Sequence, residues 1–128
     1  MRLKASASSI PALFEQAAAQ LLSRIADPQG ISRMLQEKIV VQASDESHLL
    51  QALMSGLLSL VREERILINS LRLSLAEKSE WSLKVDVWGE LWDPASHPLN
   101  LDKLPVRCAK ARVIRVTDGF EAEWDIEG

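Results

Sequence analysis

WSLKVDVWGELWDPASHPL, residues 81–99, decides the fold. Trp81, Leu83, Val85 and Val87 alternate with Ser82, Lys84 and Asp86. A period of two places the sets on opposite faces, as in a half-buried antiparallel strand. The run then breaks on Asp93-Pro94 and His97-Pro98-Leu99, residues that form turns. Upstream, Ile66 to Leu75 closes in the same alternation, and the polar stretch Glu77 to Glu80 reads as the hairpin tip between the two strands. Downstream, Phe120, Ala122, Trp124 and Ile126 alternate with Glu121, Glu123 and Asp125. Thr117-Asp118-Gly119 before them reads as a hairpin turn, since Asp-Gly supplies positive φ. Val106 to Val116 is strand-like, but its apolar residues change parity near Ala109, which predicts a β-bulge or bend. Arg2 to Ser6 and Leu35 to Ala43 are shorter strand candidates.

Two stretches carry a helical period instead. Leu13, Phe14, Ala17, Ala18, Leu21, Leu22 and Ile25 make one apolar stripe, which predicts a helix over Ile10 to Ala26. Ser9 suits its N-cap, Pro11 its first turn, and Asp27-Pro28-Gln29-Gly30 its end. Leu49, Leu50, Leu53, Met54, Leu57, Leu58 and Val61 predict a second helix over Glu46 to Arg62, capped by Ser44 or Asp45. Buried, each stripe supplies on the order of 10 kcal/mol gross, before chain entropy is subtracted. The expected order is β-α-β-α-β-β-β-β, an α+β domain with two helices covering a mainly antiparallel sheet. Residues 1–128 read as a single domain.

The net charge of −3 argues against a broad nucleic-acid surface and against stable direct binding of nucleic acid, while leaving room for a local basic patch. Cys108 is the only cysteine, so no internal disulfide forms, which fits a cytoplasmic location. No apolar run is long enough for a membrane span.

No GxxxxGK[ST], GxSxG, HExxH or CxxC motif is present. Cys108 lies in a strand-like run and reads as a small buried hydrophobe. His48 falls in the first turn of the second helix, a surface or capping position, and His97 reads as a loop-holding side chain. Glu121, Glu123 and Asp125 share one face of the last strand, and their oxygens suit a hard cation such as Ca²⁺ or Mg²⁺. One strand alone cannot wrap an ion, so a solvated face is the plainer reading. Trp81 and Trp124 follow the apolar parity and belong to the core. Trp88 has the opposite parity and Trp92 precedes a turn, so these two read as a contact surface for a partner, with Asp93 and His97 beside them.

Several of these stretches together resemble the archease family. GELWDPASHPL matches that family's GExxDPxxHxL block at Gly89, Glu90, Asp93, Pro94, His97 and Leu99. Leu3 to Ala5 resembles the end of its first strand, SSIPALFEQAA its first helix, DESHLLQALMSGLLSLVREE its second helix, and Trp124-Asp125-Ile126 its closing strand. The resemblance implies an α+β sandwich-like fold and a non-enzymatic accessory role. The implied partner is the RNA ligase of tRNA splicing and RNA repair. That ligase joins 2′,3′-cyclic-phosphate or 3′-phosphate ends to 5′-hydroxyl ends, and archeases promote its guanylylation and turnover. The resemblance also implies a metal ion, often calcium, with Asp125 and the backbone oxygen of Ile126 among its ligands.

The chain also departs from that pattern. The family's HTAD motif, with another ligand, would fall just before Met1, so it is either lost or encoded upstream. Where the family reads TEVKAxTYH, this chain reads NLDKLPVRCAK. The family's Lys then falls on Leu104 and its His on Ala109, while Lys103 and Lys110 each miss by one residue. A one-residue slip in a strand turns a side chain to the other face. An upstream extension restores neither residue, so the pattern favours a divergent member with a weak or lost ion. The competing readings are a repurposed interaction domain with no ligase role, and a small hydrolase acting through Glu121, Glu123 and Asp125.

Overall fold

The computed structural model describes residues 1–77, 79–95 and 107–127. In chain order they form β1 (Arg2–Ala7), α1 (Ile10–Ser23), β2 (Leu35–Ala43), α2 (Glu46–Arg62), β3 (Ile66–Glu77), β4 (Trp81–Leu91), β5 (Arg107–Val116) and β6 (Gly119–Glu127). A short 3-10 turn, Pro28–Gly30, precedes β2. The α+β class and the element order are those expected from the sequence. The strands divide into two three-stranded antiparallel sheets, β1-β6-β5 and β2-β4-β3, a partition that alternation alone left open.

Local chemistry explains where the helices begin. The Ser9 hydroxyl accepts from the Ala12 amide at 3.3 Å, and the Asp45 carboxylate accepts from the His48 amide at 2.8 Å. Each cap satisfies an amide that has no partner within the helix. Of the two caps considered for α2, Asp45 is the one used. The first helix stops at Ser23, three residues short of the expected Ala26. The Arg24 and Ile25 amides bond back only three residues, to the Leu21 and Leu22 carbonyls at 3.2 and 3.0 Å, which tightens and ends the last turn. Ile25 stays buried beyond that end.

The helices join the two sheets. The α1 helix packs on β1 and β3, and α2 packs on β5 and β2. Leu13, Phe14, Leu21, Leu49, Leu53 and Leu57 are fully enclosed between the sheets, together with Leu67, Leu83 and Trp124. The predicted parity change in β5 is a register shift between Ala109 and Arg112, with Lys110 at φ 55°. Helix α2 holds this bulge. The Ala111 amide donates to Gln51 Oε1 at 3.3 Å, Gln51 Nε2 donates to the Cys108 carbonyl, and the Val113 amide donates to Ser47 Oγ at 2.8 Å. These side chains occupy backbone groups of an edge strand that would otherwise stand open to another chain.

Two glycines are fixed by close approach. A Cβ at Gly89 would overlap the Leu67 carbonyl oxygen where β4 meets β3, beside a register shift between Ile68 and Ser70. The hairpin turn forms where Thr117-Asp118-Gly119 predicted it. Val116 pairs with Gly119, and a Cβ at Gly119 would overlap the Ala7 carbonyl oxygen of β1. Its requirement is therefore space against a neighbouring strand.

Candidate functional site

The outer face of the first sheet holds the carboxylates singled out from the sequence. Central strand β6 presents Glu121, Glu123 and Asp125, with Ser6, Lys4 and Arg2 opposite them on β1. On the other side, Arg112 stands opposite Glu123 and Ile114 opposite Glu121. Lys4, Ser6, Arg112, Ile114, Glu121 and Glu123 line a shallow groove of about 360 Å³. Arg2 reaches across β6. Its guanidinium lies 2.9 Å from Glu123 Oε1, 3.1 Å from Asp125 Oδ1 and 3.5 Å from the carbonyl of Lys110 in the β5 bulge. The two carboxylates in turn hold the Arg2 guanidinium firmly protonated. Arg107 pairs with Glu127 at 2.5 Å on the same sheet. An acidic strand between cationic neighbours is a neutralised face, and exposed pairs of this kind contribute little stability.

This arrangement tests the cation that the family resemblance implies at Asp125 and Ile126. The Asp125 carboxylate already carries a guanidinium counter-charge. The Ile126 carbonyl accepts from the Met1 nitrogen at 3.0 Å, and the Ile126 amide donates to the Met1 carbonyl at 2.8 Å, which extends the β1–β6 ladder by one pair. Among the described residues, no three His, Cys, Asp or Glu side chains converge as a metal cage. A hard cation requires several oxygens at once. Here the converging oxygens surround an arginine, so the residues as placed do not fit a divalent ion.

The predicted contact residues divide between two places. Trp88 stands half-buried on the outer face of β4, between Gln36 of β2 and Ser70 of β3. The Cζ atoms of Arg33 and Arg72 lie 4.8 and 5.7 Å from its ring centroid. Trp92 lies just past the end of β4, partly packed against the core, with its amide donating to the Arg65 carbonyl at 2.7 Å and the Arg65 Cζ 6.0 Å from its ring. Asp93 forms a turn, its carboxylate accepting from the Ala95 amide at 3.0 Å. Leu91, the last residue of β4, is 62% exposed, and Met34, just before β2, is 84% exposed. His97 lies outside the described residues, as do Leu99, Lys103, Leu104 and Pro105. Lys110 falls in the bulge itself and is exposed.

The remaining candidates have structural roles. Cys108 is 3% exposed, and burial pushes its thiol up to about 11, so it is no thiolate nucleophile at neutral pH. His48 completes the α2 cap, with Nδ1 2.8 Å from Asp45 Oδ2. The His48 amide, and then the His48 ring, hold the Asp45 carboxyl below its ordinary value. Trp124 is fully enclosed, and its indole N–H has no acceptor among the described residues. Sequence reasoning missed Arg2, Arg33, Arg65 and Arg72, since no local pattern marks an arginine whose partner lies on a neighbouring strand.

Two helices joining two three-stranded antiparallel sheets define an α+β two-sheet scaffold. The chain belongs to the archease family, matching the Archease protein family (MTH1598/TM1083) over residues 1–123. Archeases are in general non-catalytic accessory proteins. The solution structure of Methanobacterium thermoautotrophicum protein 1598 aligns with a TM-score of 0.67 and 14% sequence identity, covering 98% of this chain and 89% of that one. At that identity the likeness is one of fold. A search of curated proteins finds no match. No described helix is long and apolar enough to cross a membrane.

Proposed function

We propose that this protein binds an RNA ligase of the tRNA-splicing and RNA-repair type, in the cytoplasm, and assists its guanylylation and turnover without catalysing a reaction itself. Family membership over residues 1–123 is the observation that carries the reading. The contact we assign is the end of β4, where exposed Leu91 is followed by Trp92 and Asp93. An exposed leucine beside a tryptophan and a carboxylate suits a protein partner. No step of this proposal depends on a calcium ion at Asp125 and Ile126.

The test is direct. Purified protein is mixed with the cognate ligase, and both complex formation and the rate of ligase guanylylation are measured. Binding with a faster rate supports the proposal, and Leu91→Asp should weaken binding about tenfold or more, as for loss of an interface anchor. Binding without acceleration would favour the second reading, a domain kept for contact alone. That reading draws on Arg2, which stands where the resemblance places a cation. Absence of binding would sink both ligase readings.

A further inference from the structure

The outer face of the second sheet carries a cationic surplus, where cations and carboxylates on the first face balance. Lys38 of β2, Lys84 of β4 and Arg72 of β3 share this face with Trp88, and Arg33 reaches it from the segment before β2. The acidic residues on the same face are Asp86 and Glu90, and Glu90 is engaged by the Ser32 hydroxyl at 2.6 Å. Among the described residues, none of the four cations makes an ion pair. A local cationic surplus on a chain of net charge −3 is an uneven distribution rather than a general property of the surface.

The position of Arg33 is built. Asn69, at the register shift in β3, donates to the Pro28 and Ile31 carbonyls at 3.1 and 2.8 Å. The Ser32 hydroxyl anchors the next residue to Glu90. Arg33 therefore leaves a segment tied on both sides to the sheet, and its guanidinium rests over Trp88. An indole ring accepts no N–H hydrogen bond in its plane, so a guanidinium held there keeps its donors for an outside acceptor.

We propose that this face binds single-stranded RNA, with phosphates on Arg33, Arg72, Lys38 and Lys84 and a base stacked at Trp88 or on its covering guanidinium. Charge complementarity identifies an anionic partner, and the tryptophan narrows the choice. An acidic peptide answers the four cations but brings nothing for the indole, whereas a single strand carries both phosphates and π-faces. From Lys84 to Trp88 the strand runs about 13 Å, and sheet faces of this size take two or three nucleotides. The proposal is independent of the ligase reading, because it concerns the protein alone with RNA.

The probe is a fluorescein-labelled single-stranded RNA dodecamer of mixed sequence, followed by anisotropy from 50 to 200 mM salt. Binding should weaken with salt at a log–log slope of about −2.8, for four contacts at ~0.7 each. The surface double variant Arg33→Gln/Arg72→Gln should weaken binding at least tenfold at low salt and flatten the slope by about 1.4. Trp88→Leu, which keeps an apolar group for packing, should weaken binding about tenfold with little change in slope, as loss of stacking does. Circular dichroism of each variant confirms the fold. Failure of the native protein to bind, or unchanged affinity in the double variant, overturns the proposal. Competition by inorganic polyphosphate or a polyglutamate dodecamer as effective as unlabelled RNA also overturns it, in favour of a plain anion or an acidic protein segment.

Discussion

The two outer sheet faces are built alike and charged differently. Each is a three-stranded antiparallel surface with a central strand from a hairpin. On the first, Glu123 and Asp125 meet Arg2, and Glu127 meets Arg107. On the second, Arg33 and Arg72 lie over an indole, and none of the four cations has a carboxylate partner among the described residues. The first face sets its cations against a matching number of carboxylates and pairs several of them, whereas the second carries four cations against two carboxylates and pairs none among the described residues. Composition reports only the sum of these faces, so a modest negative net charge conceals both.

The tryptophans give the hardest way to break this comparison. Trp124 lies beneath the first face, fully enclosed, and Trp88 lies on the second. Trp124→Ala should destabilise by about 3–5 kcal/mol in denaturant unfolding, as large core truncations do. Trp88→Ala should cost only about 1–2 kcal/mol, two exposed cation–π contacts and part of the ring's buried area. Equal losses would mean that Trp88 belongs to the core and that the second face is a packing surface. Gly89→Ala tests the backbone under Trp88. The new methyl group meets the Leu67 carbonyl, and a loss of about 1–3 kcal/mol is expected.

Smaller effects sharpen the contrast. Arg2→Gln strips the counter-charge from Glu123 and Asp125, yet exposed ion pairs are weak, so thermal or chemical unfolding should shift by less than about 1 kcal/mol. Calorimetric titration of the native protein with calcium should give no binding heat. A stoichiometric heat that Asp125→Asn abolishes would show that the first face opens to an ion. The smallest effect concerns pH. Asp45 is depressed in the folded state, so its stabilising share is present above about pH 4 and fades as pH falls through the lowered value. Asp45→Asn keeps a cap but not the charge, and should flatten the acid limb of Tm against pH. An unchanged limb would detach Asp45 from acid unfolding.

Much of the scaffold was legible because it rests on local rules. Helix α2 starts and ends where its leucine period and cap predicted, and the bulge of β5 was visible in the parity change at Ala109. The end of α1 was overestimated because Ile25 continues the apolar stripe while its amide has already turned to a three-residue bond. The candidate site was legible as residues and not as pairs. Glu123 and Asp125 could be placed on one face, but Arg2 as their counter-charge depends on β1–β6 register, more than a hundred residues apart in sequence. Arg33 gives no periodic signal, since it precedes its strand and is positioned by Asn69 through Ile31.

The chain alone fixed which side of each helix and strand turns inward, because side-chain direction follows from the covalent geometry of neighbouring residues. It also fixed the class and the lineage. Only the folded molecule decided which strands became neighbours, how six strands divided into two sheets, and which cations met carboxylates. Those outcomes depend on packing between segments distant in sequence, where a shift of one residue in register exchanges every partner.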